Sequence, residues 1–214
     1  MTAFARLAST GCPSPAALAL AMACELHDAD IDGAIAGVRR LADGLADLRD
    51  ASPEEQLEHA GREVGAAIRA RVRPASVEDL LVDHALVDGA GDPVCWAMIC
   101  LSAAGEADIP LGAIADDEGH VLVAHRRLRR PLVVEPLAPD VLLDARELPS
   151  GELRWRCSHQ LTLMLADRFV ARATRTGRHG EALRAARLRL DLPLDDATRE
   201  ALAAECDRIA ARMN

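Results

Sequence analysis

Cys95 and Trp96 follow the turn-forming run Gly91-Asp92-Pro93-Val94 and open a strongly apolar segment. A turn of Gly, Asp and Pro places this thiol on the first turn of a helix. There the unpaired N–H groups and the positive end of the helix dipole favour thiolate over thiol. Twenty-five residues on, Gly119-His120 opens the apolar strand His120-Val121-Leu122-Val123-Ala124, and fifteen further Leu132-Val133-Val134-Glu135 ends in a carboxylate. Cysteine at a helix start, then histidine and acid on adjacent strands, is the order nucleophile, base, orienter of a thiol triad. Cys95, His120 and Glu135 are therefore the expected catalytic residues, with Asp116 and Asp117 competing for the third role.

The neighbours of these residues sort by setting. Trp96 can wall one side of a thiolate pocket, whereas Cys100 reads as core, and Cys12, Cys24, Cys157 and Cys206 have no comparable setting. Strand alternation puts His120, Leu122 and Ala124 on one face and Val121, Val123 and His125 on the other. Only one of the two histidines can face Cys95. His120 is favoured, and His125 is expected to be a solvated neighbour of the arginine run. Arg126, Arg127, Arg129 and Arg130 form either a solvated hairpin end or an anion site at the cleft mouth, with Arg126 and Arg127 as candidate substrate-binding residues. His27, His59, His84, His159 and His179 read as helix or linker histidines.

The bulk numbers narrow the class. A chain of 214 residues can bury a sizeable core. Half of its residues are hydrophobic and 28% are charged, an ordinary globular composition. Net charge is −9, which argues against a nucleic-acid partner because phosphate binding needs a basic face. Two Trp, two Phe and no Tyr disfavour base-stacking platforms. Every basic residue is arginine, the mark of a GC-rich coding bias more than of chemistry. The six cysteines form no C-x-x-C pair, and no Cys/His cluster has zinc-ligand spacing, so no metal is expected. With no signal-peptide pattern, and an apolar run Ala16–Cys24 too short to span a bilayer, a cytoplasmic location without membrane contact is expected.

The elements that must position the triad follow from periodicity. Helices are expected from Ser14-Pro15 to about His27, over Ile31–Leu48, from Ser52-Pro53 to roughly Val72, and, after Ser76-Val77-Glu78-Asp79, toward Val87. Asp88-Gly89-Ala90-Gly91-Asp92-Pro93 is a breaker and marks a boundary. Val94–Ala104 is apolar on nearly every side, as a helix buried in a core would be. Strands are expected at 111–115, 120–126 and 131–136. The tail reads as helices over 153–176, 181–190 and 197–213. The expected fold class is α+β, with a helical N-terminal domain at 1–90, a core of one buried helix on an antiparallel sheet at 91–150, and a helical C-terminal region at 151–214 packing on it.

These motifs resemble the transglutaminase-like superfamily of papain-like folds. That family carries Cys followed by an aromatic at a helix start, then His on a strand, then Asp in a phrase like V-x-D-P. Cys95-Trp96, Gly119-His120 and Val133-Val134-Glu135-Pro136 match in order, with Glu in place of Asp. The chain is also similar to the SirB-like branch, through Gly91-Asp92-Pro93, Asp108-Ile109-Pro110-Leu111, Gly119-His120 before an apolar strand, and the paired-helix tail. In size and in its Cys/His pair it is similar to Dieckmann cyclases that release polyketide–peptide chains as tetramic acids or pyridones.

The resemblance implies a transglutaminase-like core and a cysteine-dependent acyl-thioester enzyme. Cys95 would take the acyl chain from an acyl or peptidyl carrier protein, with no metal or diffusible cofactor, and ring closure would free it. A cysteine amidase, protease or transglutaminase on the same triad, and a non-catalytic interaction module on the same fold, are the alternatives.

Overall fold

The computed structural model describes residues 1–71, 73, 75–148 and 152–213. Its fold is α+β, as the periodicity implies. Helices α1 (Ala3–Ala8), α2 (Pro15–Leu26), α3 (Ile31–Leu45) and α4 (Pro53–Ala67) lead to the short strand β1 (Arg69–Ala70). Then come α5 (Val82–Asp88), β2 (Ala90–Gly91) and the central helix α6 (Pro93–Glu106). Strands β3 (Leu111–Ala115), β4 (Val121–His125), β5 (Leu132–Glu135), β6 (Ala138–Asp144) and β7 (Arg154–Arg156) follow, and α7 (Ser158–Arg175), α8 (His179–Arg189) and α9 (Asp196–Ala211) close the chain. Among the described residues no helix is long and apolar enough to cross a membrane.

Helix α6 is where the core sits. Apolar side chains cover its whole circumference, and ten of its residues, from Val94 to Ala104, are buried. A helix apolar all round has to be enclosed. It packs on α2, α3, α4 and α7 and on β3 and β4. A single buried cluster runs from Phe4 to Ile209, with members from the N-terminal helices, the sheet and the tail. The breaker at 88–93 thus joins elements within one shared core, and the expected boundary at 150/151 lies outside the described residues. Leucine-, valine- and phenylalanine-sized side chains at about 1.5–3 kcal/mol each supply most of the driving force.

The five-stranded sheet has the order β6-β5-β4-β3-β7, with antiparallel neighbours throughout. Its inner face carries Ala113, Ala115, Val121, Val123 and Val134 into the main core. Ile114, Leu122, Ala124 and Val133 form a smaller cluster on the other face with Leu143, Ala145, Leu148 and Leu153. The face toward α6 is therefore that of Val121, Val123 and His125, the reverse of the expected facing; His120 precedes β4 and belongs to the turn, so strand alternation does not set its direction.

Several expected boundaries shift, each for a local reason. The helix expected over 153–176 starts only at Ser158, because Arg154–Arg156 pair with β3 as an edge strand. Gly112 leaves the space there: a Cβ on it would lie 2.6 Å from the Trp155 ring. The third helix ends at Leu45 and continues to Leu48 as a 3-10 turn. The fourth helix ends at Ala67, where Ile68 turns extended to feed the pairing of Arg69 with Ala90 and Ala70 with Gly91; Val72 lies outside the described residues. Strand β6 was missed because its burial pattern does not alternate.

Helix α4 lies across β4, β5 and β6, and Gly61 permits that approach. A Cβ there would sit 2.3 Å from the Pro139 carbonyl oxygen and 2.9 Å from Val134. Gly61→Ala should cost about 1–3 kcal/mol by overpacking against backbone that cannot rotate away. Gly180, in the first turn of α8, has nothing within 4 Å, so Gly180→Ala should be neutral or stabilise by up to about 1 kcal/mol. Urea midpoints check both, and equal shifts would contradict the α4–sheet contact.

Candidate functional site

The start of α6 is built by Asp92. Its carboxylate caps the helix, accepting from the Val94 amide at 2.8 Å, and Pro93 occupies the first turn. The Asp92 amide in turn donates to the Asp79 carbonyl at 2.8 Å. Asp92 is only 1% exposed, and a buried carboxylate needs a partner. Arg168, on α7, supplies it: Nη1 reaches both carboxylate oxygens, at 2.7 and 2.8 Å. The second nitrogen of the same guanidinium, Nη2, donates to the Gly119 carbonyl at 2.6 Å. One side chain thus ties the helix start of Cys95 to the turn that carries His120.

That turn, Asp116–Gly119, joins β3 to β4. It requires Gly119, whose φ of +84° disfavours any side chain. Asp116 is buried and accepts twice from His120, from its amide at 2.9 Å and from Nδ1 at 2.9 Å. A carboxylate can only accept, so Nδ1 carries a proton, and in the neutral imidazole the lone pair is then on Nε2. Burial opposes ionisation of Asp116, but the two bonds from His120 outweigh it and hold the carboxyl below its ordinary range. The His120 side chain is 68% exposed, so the imidazole stands at the surface of the cleft.

The cleft, of about 350 Å³, is lined by Asp92, Pro93, Gly119, His120, Glu135, Arg168, Arg172 and Arg175 among others. Glu135 is brought there by the register shift at Val134/Glu135, a bulge that re-aims the strand end. Among the described residues no hydrogen bond or ion pair joins Glu135 to His120; the carboxylate on His120 is Asp116. Asp117 lies 3.7 Å from Arg156 instead.

Cys95, the third residue of α6, is fully buried and does not line the cleft. Burial pushes its thiol well above the ordinary range, the Asp92 charge pushes in the same direction, and Arg168 only partly opposes them. The helix-start argument for a resting thiolate therefore fails here, because desolvation outweighs the dipole. No hydrogen bond joins Cys95 to His120 among the described residues. Cys100 is pushed up to about 12 by burial alone, as a core thiol should be.

Trp96 is also fully buried, its indole nitrogen without a partner among the described residues, and packs in the core rather than walling the cleft. Arg126 donates to the Leu111 carbonyl at 3.2 Å and lies over the Trp155 ring, 5.1 Å from its centre. Neither Arg126 nor Arg127 lines the cleft. The basic residues that do, Arg168, Arg172 and Arg175, all belong to α7. Their spacing of three to four residues on one helix face was the signal available in the sequence. Arg172 additionally binds the Ala75 carbonyl.

His125 is not solvated. It is 2% exposed; its Nε2 donates to Gln56 Oε1 at 2.7 Å, and Nδ1 accepts from the Arg127 amide at 3.1 Å. Gln56 passes the network on, donating to the Leu48 and Arg49 carbonyls at 2.8 and 3.0 Å. The histidine at the inner-facing end of β4 is thus a neutral strut between α4 and the sheet. No protein-family model, curated protein or solved structure matches the chain.

Burial, with Arg127 adding to it, lowers the His125 pKa below 6.5. Between that lowered value and 6.5 the unfolded chain binds the extra proton, so stability is complete above pH 6.5 and falls as pH drops through the folded value. Denaturation midpoints of wild type should fall on acidification through this window, and those of His125→Asn should fall less. Parallel pH profiles would contradict a neutral, buried His125.

Proposed function

We propose that this chain is a cysteine-dependent acyl-thioester enzyme on a transglutaminase-like core, with Cys95 as nucleophile, His120 as base and Asp116 as orienter. The observation that carries the reading is the Arg168 clamp, which ties the first turn of the cysteine helix to a histidine already oriented by a buried carboxylate. Glu135, from the facing strand end, contributes a second acid to the same cleft.

In this reading the thiol is protonated at rest. Substrate entry uncovers Cys95, and His120 Nε2 accepts the Sγ proton as sulfur attacks the carrier thioester carbonyl. Of the first-turn amides of α6, Val94 donates to the Asp92 carboxylate, Trp96 donates to the Asp92 carbonyl and Pro93 has no N–H, so the amide assigned to the oxyanion is that of Cys95. The C–S bond to the carrier breaks, and its thiolate leaves with the proton held on His120. In the Dieckmann version, which is the form we favour, a base then removes the acidic methylene proton of the β-ketoamide. The carbanion attacks the Cys95 thioester; a C–C bond forms, the C–S bond breaks, and the enzyme thiolate is reprotonated. Arg172 and Arg175 at the cleft supply positive charge for the phosphate tether of a carrier protein, the role expected of Arg126 and Arg127 from the sequence.

A second reading, a non-catalytic interaction module, is favoured by one observation, the complete burial of Cys95. The two separate in an assay with a carrier-bound β-ketoamide thioester, followed by intact-protein and product mass spectrometry. An enzyme gives the ring product, none from Cys95→Ala, and a rate about 10²–10⁴-fold lower from His120→Ala, with Asp116→Asn falling between. Absence of both product and acyl-protein from the wild type would overturn the enzyme reading in favour of the module.

A further inference from the structure

A second convergence of polar side chains lies apart from the cleft, where α2 meets α5. His27 caps the C-terminus of α2, and Asp83 and His84 stand in the first turn of α5. Each offers one nitrogen or oxygen, and these atoms lie within 4.8 Å of one another. Asp83 is 4% exposed, and its Oδ1 has no hydrogen-bond partner among the described residues. His27 Nε2 lies 3.1 Å from Asp83 Oδ2, yet it too makes no aligned hydrogen bond. The contact is close but not an aligned hydrogen bond, and it leaves Asp83 Oδ1, in a buried carboxylate, without a partner among the described residues. Two ligands about 2.0–2.1 Å from a tetrahedral zinc ion would be roughly 3.3 Å apart, which is close to the observed separation.

The rest of the surroundings agree. Nδ1 of His84 lies 3.5 Å from the exposed Asp88 carboxylate, near enough for a carboxylate to orient the imidazole once a metal is held. The His27 and His84 rings are tilted by 46° with centres 5.3 Å apart, so they are neighbours but not stacked. Beside them is a small cavity of about 120 Å³, lined by Leu26, His27, His84, Phe169, Glu78 and Arg178 in part. An ion held there has three protein donors and room for a further ligand from the cavity.

We propose that His27, Asp83 and His84 form a binding site for a divalent first-row transition metal, zinc being the expected occupant. Two imidazoles and one carboxylate suit zinc, iron, cobalt or nickel and exclude calcium and magnesium, which take oxygen ligands. The site also tethers α2 to α5, so loading should stabilise the fold by linkage. It is independent of the reading of Cys95 and His120.

The test uses the untagged full chain, stripped with chelator, and titrates Zn²⁺ by calorimetry and Co²⁺ by visible absorption. The wild type should bind one equivalent and show a raised melting temperature with metal. His27→Gln and His84→Gln should each weaken binding at least ~10-fold and abolish the metal-dependent rise, and both conserve volume if Asp83→Asn fails to fold. Cys24 lies one turn before His27 on α2 and feels the Asp83 charge, so Cys24→Ser is the control and should keep the one-equivalent site. Binding unchanged in both histidine variants, binding lost only in Cys24→Ser, or no binding by the wild type would each overturn the proposal.

Discussion

The Asp92–Arg168 pair holds this structure's chemistry in place. Asp92 satisfies the first turn of α6, the element on which the whole core packs, and as a buried carboxylate it would be costly without its cation. The planar guanidinium meets both carboxylate oxygens through one nitrogen and the Gly119 carbonyl through the other. A lysine, with a single ammonium, could not present that fork. The pair therefore couples three elements that are distant in sequence: the start of α6, the β3–β4 turn and α7. His120 and the arginines of α7 come to one cleft as a consequence.

The thiol shows how competing terms resolve. A helix N-terminus is worth about 0.3–1 kcal/mol to an adjacent anion, less than one pKa unit. Burial raises a thiol by more than that, and the Asp92 charge pushes Cys95 in the same direction. Position in the first turn of a helix is therefore not enough to make a thiolate; Cys95 is fully buried, and the Arg168 cation only partly offsets that burial and the Asp92 charge. Within the proposed mechanism this places the activation step at substrate entry, with His120 as acceptor, rather than in a preformed thiolate.

Local features were readable in the sequence. The Gly-Asp-Pro turn before α6, the all-round apolar character of that helix, the alternation in β4 and the turn before Gly119-His120 are short-range signals, and the elements form where those signals place them. Asp116, like Asp117, is legible as a competitor for the acid because it lies in the hairpin turn before His120. What was not readable depends on tertiary partners. Arg168 is one of many arginines until α7 docks against Asp92. His125 reads as a hairpin histidine until α4 brings Gln56 onto it. Strand β7 exists because Gly112 leaves room for Trp155, and the His27–Asp83–His84 cluster joins two helices far apart in the chain. Periodicity records neither which helix packs on which nor who pairs with a buried charge.

The coupling between Asp92 and Arg168 tests the central claim most directly. A double-mutant cycle of Asp92→Asn, Arg168→Met and the pair, measured by urea denaturation with amide hydrogen exchange at Gly119 and His120, reads the clamp at both ends. The account predicts a coupling energy of roughly 1–3 kcal/mol and faster exchange at the Gly119-His120 turn in either single variant. Additive losses, with exchange at that turn unchanged, would contradict it.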